Sequence, residues 1–316
     1  MNKQVYHVNK VSMIKQTLYF GNPAYLSTKN EQLVIKTDDI ETARPIEDIG
    51  IVMLDNPQIT ITQLTITKLL ENNAAFIHCN EKHMPVGMLL NLDGNTLQRQ
   101  RFQKQIEASE PLKKQLWQQT VQAKIKNQAA LLSHLGKDTK RMSYLQKSVK
   151  SGDPKNCEAQ AASYYWKLVF KEHTQAFSRS QDGPPPNNML NYGYAVLRAA
   201  MARALVGTGL LPTLGIFHRN QYNAYCLADD IMEPYRPYVD HAVVEYISQH
   251  GIPPETLRPE ISRHFLTILQ ADVYFEKERS PLLIALTRTT ASLFACFQGK
   301  RRKIIYPDLN NAFKKD

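Results

Sequence analysis

The sequence predicts an α+β protein with a strand-rich first part and a longer helical second part. Up to about residue 95, short β-branched and aromatic segments alternate with turn residues. Beyond Asn95, apolar residues recur at helical spacing. The 316 residues suffice for one large domain or two of medium size. The expected division is a poorly ordered extension over 1–12, a β-rich unit over 13–95 and a helical unit over 96–316. Met13, where a strand-like pattern begins, is a candidate for the original start.

In the first unit, 24–27 and 33–36 flank the polar Thr28-Lys29-Asn30-Glu31 and read as a hairpin. Residues 49–54 (IGIVML) read as a buried strand, and 75–79 and 86–89 as two more. Between them, 59–72 begins with strand-like alternation and becomes helical, with Thr60 or Thr62 as the cap before Leu69-Leu70. His78 and His83 have no carboxylate beside them at metal-ligand spacing, so nothing in this part suggests catalysis.

In the second unit, 98–119 carries Phe102, Ile106, Leu112 and Leu116 at helical spacing, with Pro111 as a break or restart. Lys124 to Leu135 reads as a further helix ended by Gly136. A basic stretch with Lys137, Lys140, Arg141, Lys147 and Lys150 follows. Such stretches usually mark a solvated face, but this one leads directly into the helix carrying Glu158, which favours phosphate contact by Lys147 and Lys150. Asp153 is the expected N-cap of that helix, with Pro154 at its first position. Gly183-Pro184-Pro185-Pro186 is a loop. A long helix then opens at Asn188 and ends at Gly207 and Gly209.

The formal net charge of +10 predicts attraction to polyanions. The four cysteines, Cys79, Cys157, Cys226 and Cys296, lack the spacing of a zinc knuckle or redox motif. They read as reduced thiols of a cytoplasmic protein. No apolar run has the length of a signal peptide or a membrane span.

Candidate metal ligands are Glu158, His218 and the pair Asp230/Glu233. The last two are three apart in a helical run and share a face. Glu158 alone would read as one half of a salt bridge to a nearby Lys or Arg, and His218 alone as a structural histidine. Together they make an oxygen-rich site for Mg²⁺ or Mn²⁺, the imidazole shifting preference toward Mn²⁺. In a basic protein such a site suggests cutting or joining nucleic acid. Arg198, Arg219 and Arg236 are candidate DNA contacts, although Arg236 is equally placed to pair with Asp230 or Glu233. The basic run Lys300 to Lys303 and Lys314-Lys315 either touch DNA or form a solvated end.

Three stretches carry a resemblance. Residues 188–199 (NMLNYGYAVLRA), 209–218 (GLLPTLGIFH) and 228–237 (ADDIMEPYRP) resemble signatures of the CRISPR-associated adaptation integrase, the Cas-one family, with a type II flavour. The resemblance implies a small N-terminal β-sandwich-like domain followed by a larger all-helical C-terminal domain. It implies that Glu158, His218 and Glu233 are catalytic metal ligands, with Asp230 auxiliary. It further implies a homodimer, assembly with a Cas-two dimer as a heterohexamer, the involvement of other type II adaptation proteins, and double-stranded prespacer and repeat DNA as substrates. The implied reaction joins prespacer 3′-hydroxyls to the repeat without ATP. Two rivals remain: a stand-alone nuclease on branched or single-stranded DNA, which uses the same residues, and a non-catalytic basic DNA scaffold, in which the acidic cluster binds no metal.

Overall fold

The computed structural model describes residues 15–38, 40–174, 177–275 and 278–313. The expected extension over 1–12, Met13 and Lys314-Lys315 lie outside these residues. The chain begins with β1 (Gln16–Phe20), β2 (Ala24–Lys29), β3 (Gln32–Lys36), β4 (Glu41–Pro45), β5 (Ile49–Leu54) and β6 (Ile59–Ile61). Then come α1 (Gln63–Glu71), β7 (Ala75–Cys79) and β8 (Pro85–Leu89). They form two four-stranded sheets, in the orders β1-β5-β7-β8 and β4-β3-β2-β6. Leu26 and Leu33 of one sheet meet Ile49, Val52 and Phe76 of the other, with Leu69 of α1 in the same cluster.

The β2–β3 hairpin is tighter than expected. Its strands run on to Lys29 and Gln32, leaving only Asn30-Glu31 as the turn, both at positive φ (51° and 56°). That conformation matches the twist of paired strands, and Asn tolerates it well. Thr62, rather than Thr60, caps α1, its hydroxyl accepting the Thr65 amide.

The apolar runs of β5 and β7 have a simple cause. Val52 and Phe76 face the inter-sheet cluster, while Ile51, Met53, Ala75 and Ile77 face the helices. A strand buried on both faces has no polar side to show, so alternation disappears.

The helical part contains α2 (Gln98–Ile106), α3 (Glu110–His134), α4 (Lys140–Ser148), α5 (Cys157–Val169), α6 (Asn187–Gly207) and α7 (Cys226–Met232). A 3₁₀ turn (Glu233–Tyr235), α8 (Arg236–His250) and α9 (Pro259–Thr267) follow. After them come β9 (Asp272–Phe275), β10 (Glu278–Pro281) and α10 (Leu282–Phe297). Two expectations are corrected here. The break between residues 119 and 124 is absent: α3 is one helix of 25 residues, capped by Ser109, with Pro111 in its first turn where no amide is needed. The part is also not all-helical, because β9 and β10 pair as an antiparallel ribbon.

α6 is buried on nearly every side and forms the axis of the body. At Gly193 a Cβ would lie 2.4 Å from Val239 Cγ1, so glycine lets α8 approach. The Tyr192 hydroxyl reaches Met53 Sδ at 2.9 Å, Arg203 Nε donates to the Asn73 carbonyl, and Asn95 Nδ2 donates to the Gly207 carbonyl. Sheet and helices therefore share one core across the expected boundary at residue 95.

Candidate active site

Glu158 sits in the first turn of α5. The expected cap is corrected: Asp153 and Asn156 both take left-handed conformations (φ 48° and 50°), Pro154 falls in the turn between them, and the helix starts only at Cys157. Asn156 is the cap. Asp153 still supplies helix-start chemistry, its carboxylate accepting the amides of Cys157 and Glu158, both at 2.9 Å. These bonds fix the backbone from which Glu158 projects.

Glu233 opens the 3₁₀ turn after α7 and is 5% exposed. Its two oxygens have separate partners. Oε1 lies 3.0 Å from Arg236, and Oε2 lies 2.6 Å from Lys124 Nζ. The same Nζ lies 2.7 Å from Glu158 Oε1. The salt bridge that Glu158 alone would suggest is therefore present, and it is shared. Burial pushes Glu233 up, but Arg236 and Lys124 outweigh it and hold the carboxyl below its ordinary value. Burial lowers Lys124, yet Glu233 and Glu158 hold its ammonium above its ordinary value.

Lys124 was not among the expected site residues, although the signal was present. Within α3 the residues Trp117, Val121, Gln128 and Leu131 form a buried stripe, and Lys124 sits on it. A lysine on such a stripe demands anionic partners.

His218 lies in the loop between α6 and α7. Its Nδ1 is 2.5 Å from Asp230 Oδ1, and Asp230 Oδ2 accepts the Phe217 amide at 2.8 Å. Asp230 is fully buried. A Cβ at Gly215 would come within 2.8 Å of Asp230 Oδ2, which explains the glycine. Trp117 stacks on Phe217 with centroids 4.2 Å apart and meets His218 edge-on at 5.5 Å. The hydrogen bond that His218 donates to Asp230 raises the imidazole above its ordinary value, with Glu233 and Glu158 adding to it. Asp230 and Glu233 thus divide their work: one orients the imidazole, the other faces the cations.

As the side chains stand, no three His, Cys, Asp or Glu residues among those described converge on one point as metal ligands. Lys124 Nζ fills the place between the carboxylates. The donor set nonetheless fits a hard divalent ion. Two carboxylate oxygens converge on a single cation position, and Glu233 Oε2 is buried without an accepted hydrogen bond of sound geometry despite its 2.6 Å contact with Lys124.

Several expected DNA contacts have protein partners. Arg198 forks onto Asp229 (2.6 and 3.2 Å), Arg219 pairs with Glu110 at 2.5 Å, and Arg236 is committed to Glu233 and lies over the Tyr194 ring. Lys147, Lys150 and the run Lys300 to Lys303 are exposed. Beside the site lies a groove of about 1040 Å³ whose cations are Lys82, Arg179, Arg198 and Arg236. Arg179 was not anticipated; its guanidinium is held by Asn187 and Asn191. Cys157 and Cys226 are buried, as small hydrophobes are. His83 does have a carboxylate partner, contrary to the sequence expectation: Asp55, at 2.9 Å, which also accepts the Tyr19 hydroxyl. Sheet pairing brings these residues together from 28 positions apart.

Behind the site, Asp240 accepts the hydroxyls of Tyr165 and Tyr194. Burial pushes its carboxyl up to about 6 from an ordinary 3.8, despite these donors and Arg236. A carboxyl raised in the folded state favours its protonated form. Its stabilising contribution is complete below about pH 4 and is lost as pH rises through about 6. The stability of Asp240→Asn relative to wild type is therefore expected to rise across that window, by at most about 3 kcal/mol. Denaturant unfolding of both proteins from pH 4 to 7 measures it, and a constant difference contradicts the assignment.

Residues 18–270 match the family model for the CRISPR associated protein Cas1. The chain is 37% identical over 293 residues to the CRISPR-associated endonuclease Cas1 of Neisseria meningitidis serogroup C (strain 8013), covering 92% of this chain and 95% of that one. A second Cas1 endonuclease, from Pyrobaculum aerophilum, is 26% identical over 70% of this chain and 79% of its own. Among solved structures, a casposase bound to an integration product superposes with a TM-score of 0.77 at 21% identity, covering 96% and 95% of the two chains. A Cas1 protein from Thermotoga maritima also gives 0.77, at 14% identity over 92% and 99%. The family model and the 37% identical relative define the class as CRISPR-associated endonucleases. The chain belongs to the Cas1 family.

Proposed function

We propose that this protein inserts prespacer DNA into a CRISPR repeat: a prespacer 3′-hydroxyl attacks a repeat phosphodiester, with Mg²⁺ or Mn²⁺ held by Glu158, His218 and Glu233. The convergence of the Glu158 and Glu233 carboxylates on one cation position carries this reading. Once bound, the ion would neutralise charge on the scissile phosphate and favour the alkoxide of the attacking hydroxyl. The chain's own groups do the positioning. With its Nδ1 proton donated to Asp230, His218 keeps an Nε2 lone pair for ligation or for accepting the hydroxyl proton. Asp153 and the α5 start fix Glu158, and Arg236 fixes one oxygen of Glu233. The attacking 3′-oxygen bonds to phosphorus, the 3′-oxygen of the nucleotide upstream of that phosphate leaves and takes up a proton, and the phosphate stays on the downstream 5′-oxygen. One phosphodiester replaces another, so no ATP is required.

Lys82 and Arg179 of the groove, together with Lys147 and Lys150, would bind DNA backbone. Each site performs one strand transfer, so two-ended insertion calls for paired sites. Assembly as homodimers with a Cas-two dimer would meet that need, and 36% of one chain of a Cas6-RT-Cas1–Cas2 complex superposes on 93% of this chain with a TM-score of 0.74 at 20% identity. The decisive experiment is integration into a supercoiled repeat-bearing plasmid, with and without Cas-two and with Mg²⁺, Mn²⁺ or EDTA. Joined product that depends on a divalent ion supports the reading, whereas strands that are only shortened indicate a nuclease.

Log affinity for duplex DNA is expected to fall linearly with log salt. Replacing Lys147 and Lys150 together should reduce the slope by roughly 2 if each neutralises one phosphate. Fluorescence anisotropy across a salt series measures it, and an unchanged slope returns both lysines to the solvated face.

A further inference from the structure

We propose that Lys124 is a built-in counter-ion that holds the metal position until DNA arrives, so that metal loading and DNA binding are coupled through it. The proposal rests on the reading of Glu158 and Glu233 as metal ligands.

The geometry carries the argument. Lys124 Nζ stands 2.7 Å from Glu158 and 2.6 Å from Glu233, on a side chain only 12% exposed. The two cations at Glu233 are held differently. Arg236, in the next helix, takes Oε1 and rests on Tyr194. Lys124 meets Oε2 as an ion pair only, and its hydrogen bond goes to Glu158 Oε1 instead. A lysine on a flexible four-carbon stem can leave such a position; a guanidinium fork is far less able to.

Charge supplies the coupling. Glu158, Glu233, Lys124 and Arg236 sum to zero. A divalent ion entering between the carboxylates brings two positive charges and strips Lys124 of both partners. Leaving that ammonium buried and unpaired is costly. A DNA phosphate at the same place gives the displaced ammonium an anion and reduces the excess charge. Metal and DNA should each strengthen the other's binding, by the same factor. A site built this way stays stable and weakly loaded without DNA.

The test measures Mn²⁺ affinity of the full chain by electron paramagnetic resonance, with and without a duplex lacking reactive 3′-hydroxyls, for wild type, Lys124→Gln and Lys124→Arg. Thermal melting is followed in parallel. In wild type, the duplex is expected to tighten Mn²⁺ binding at least tenfold. Lys124→Gln should bind Mn²⁺ at least tenfold more tightly than wild type without DNA, with the coupling largely gone. Its metal-free melting temperature should fall, and Mn²⁺ should raise it more than in wild type. Lys124→Arg keeps the charge in a less mobile form, so it should retain its melting temperature and bind Mn²⁺ at least tenfold more weakly than wild type. This variant keeps the idea testable if the glutamine variant fails to fold. A merely structural lysine would lower the melting temperature of Lys124→Gln without tightening Mn²⁺ binding, and that result, or coupling that survives in both variants, overturns the proposal. If wild type binds no Mn²⁺ even with DNA, the metal reading falls first and takes the proposal with it.

Discussion

Replacing Glu158 or Glu233 by glutamine, or His218 by alanine, is expected to abolish strand transfer while leaving most DNA affinity in place. Affinity for DNA comes from exposed and groove cations, whereas Glu158 and Glu233 share one cation position and His218, paired with Asp230, is the proposed third ligand. Loss of a group that only orients a ligand typically costs roughly 10–100-fold. Asp230→Ala should fall in that range, and the three direct substitutions should exceed it. Glutamine is the better probe at position 233, because it keeps the volume and one acceptor oxygen beside Lys124 and Arg236, whereas alanine removes charge, acceptor and packing together. Breaking a buried pair in this way costs about 3–5 kcal/mol, and unfolding would then masquerade as lost chemistry. Joined product per unit time, alongside anisotropy with the same DNA, separates the effects. A wild-type transfer rate in any one variant removes that residue from the site.

Trp117→Ala should lower stability by about 3–5 kcal/mol and transfer activity with it. Trp117 is fully buried, stacks on Phe217 and meets the His218 ring edge-on. Its removal opens a cavity under the loop that presents His218. Trp117→Phe keeps an aromatic face for Phe217 and should recover much of the loss. Urea unfolding gives the stability, and transfer rates at a temperature where the variant stays folded give the activity. Stability within 1 kcal/mol of wild type for the alanine variant would show that the loop is held by the Asp230 hydrogen bonds rather than by this stack.

The sequence alone determined much about this protein. Strand periodicity up to Leu89, helical periodicity from Gln98 and the glycines ending α6 are local signals, set by the repeat of side-chain directions along each element. Glu158, His218 and Glu233 stand out in the sequence as candidates because their residue types suit one chemistry and their surrounding stretches resemble a known family. Local rules failed where two chain segments had to meet. Pro111 was ambiguous between breaking and starting a helix until Ser109 was seen to cap it. Asp153 was a good cap on paper, but two left-handed residues delayed the helix and passed the role to Asn156. The β9–β10 ribbon, four residues in each strand, is too short to announce itself by period.

Only the tertiary structure decided what stands between the carboxylates. Lys124 is 34 residues from Glu158, and His83 is 28 from Asp55. It also decided that Arg198, Arg219 and Arg236 already have anionic partners while Arg179 rests on asparagines. A charge's role depends on which opposite charges lie within a few ångströms and on how much water remains around them. Both are set by the packing of α3, α5 and the 3₁₀ turn after α7, and no local pattern in the chain encodes those distances.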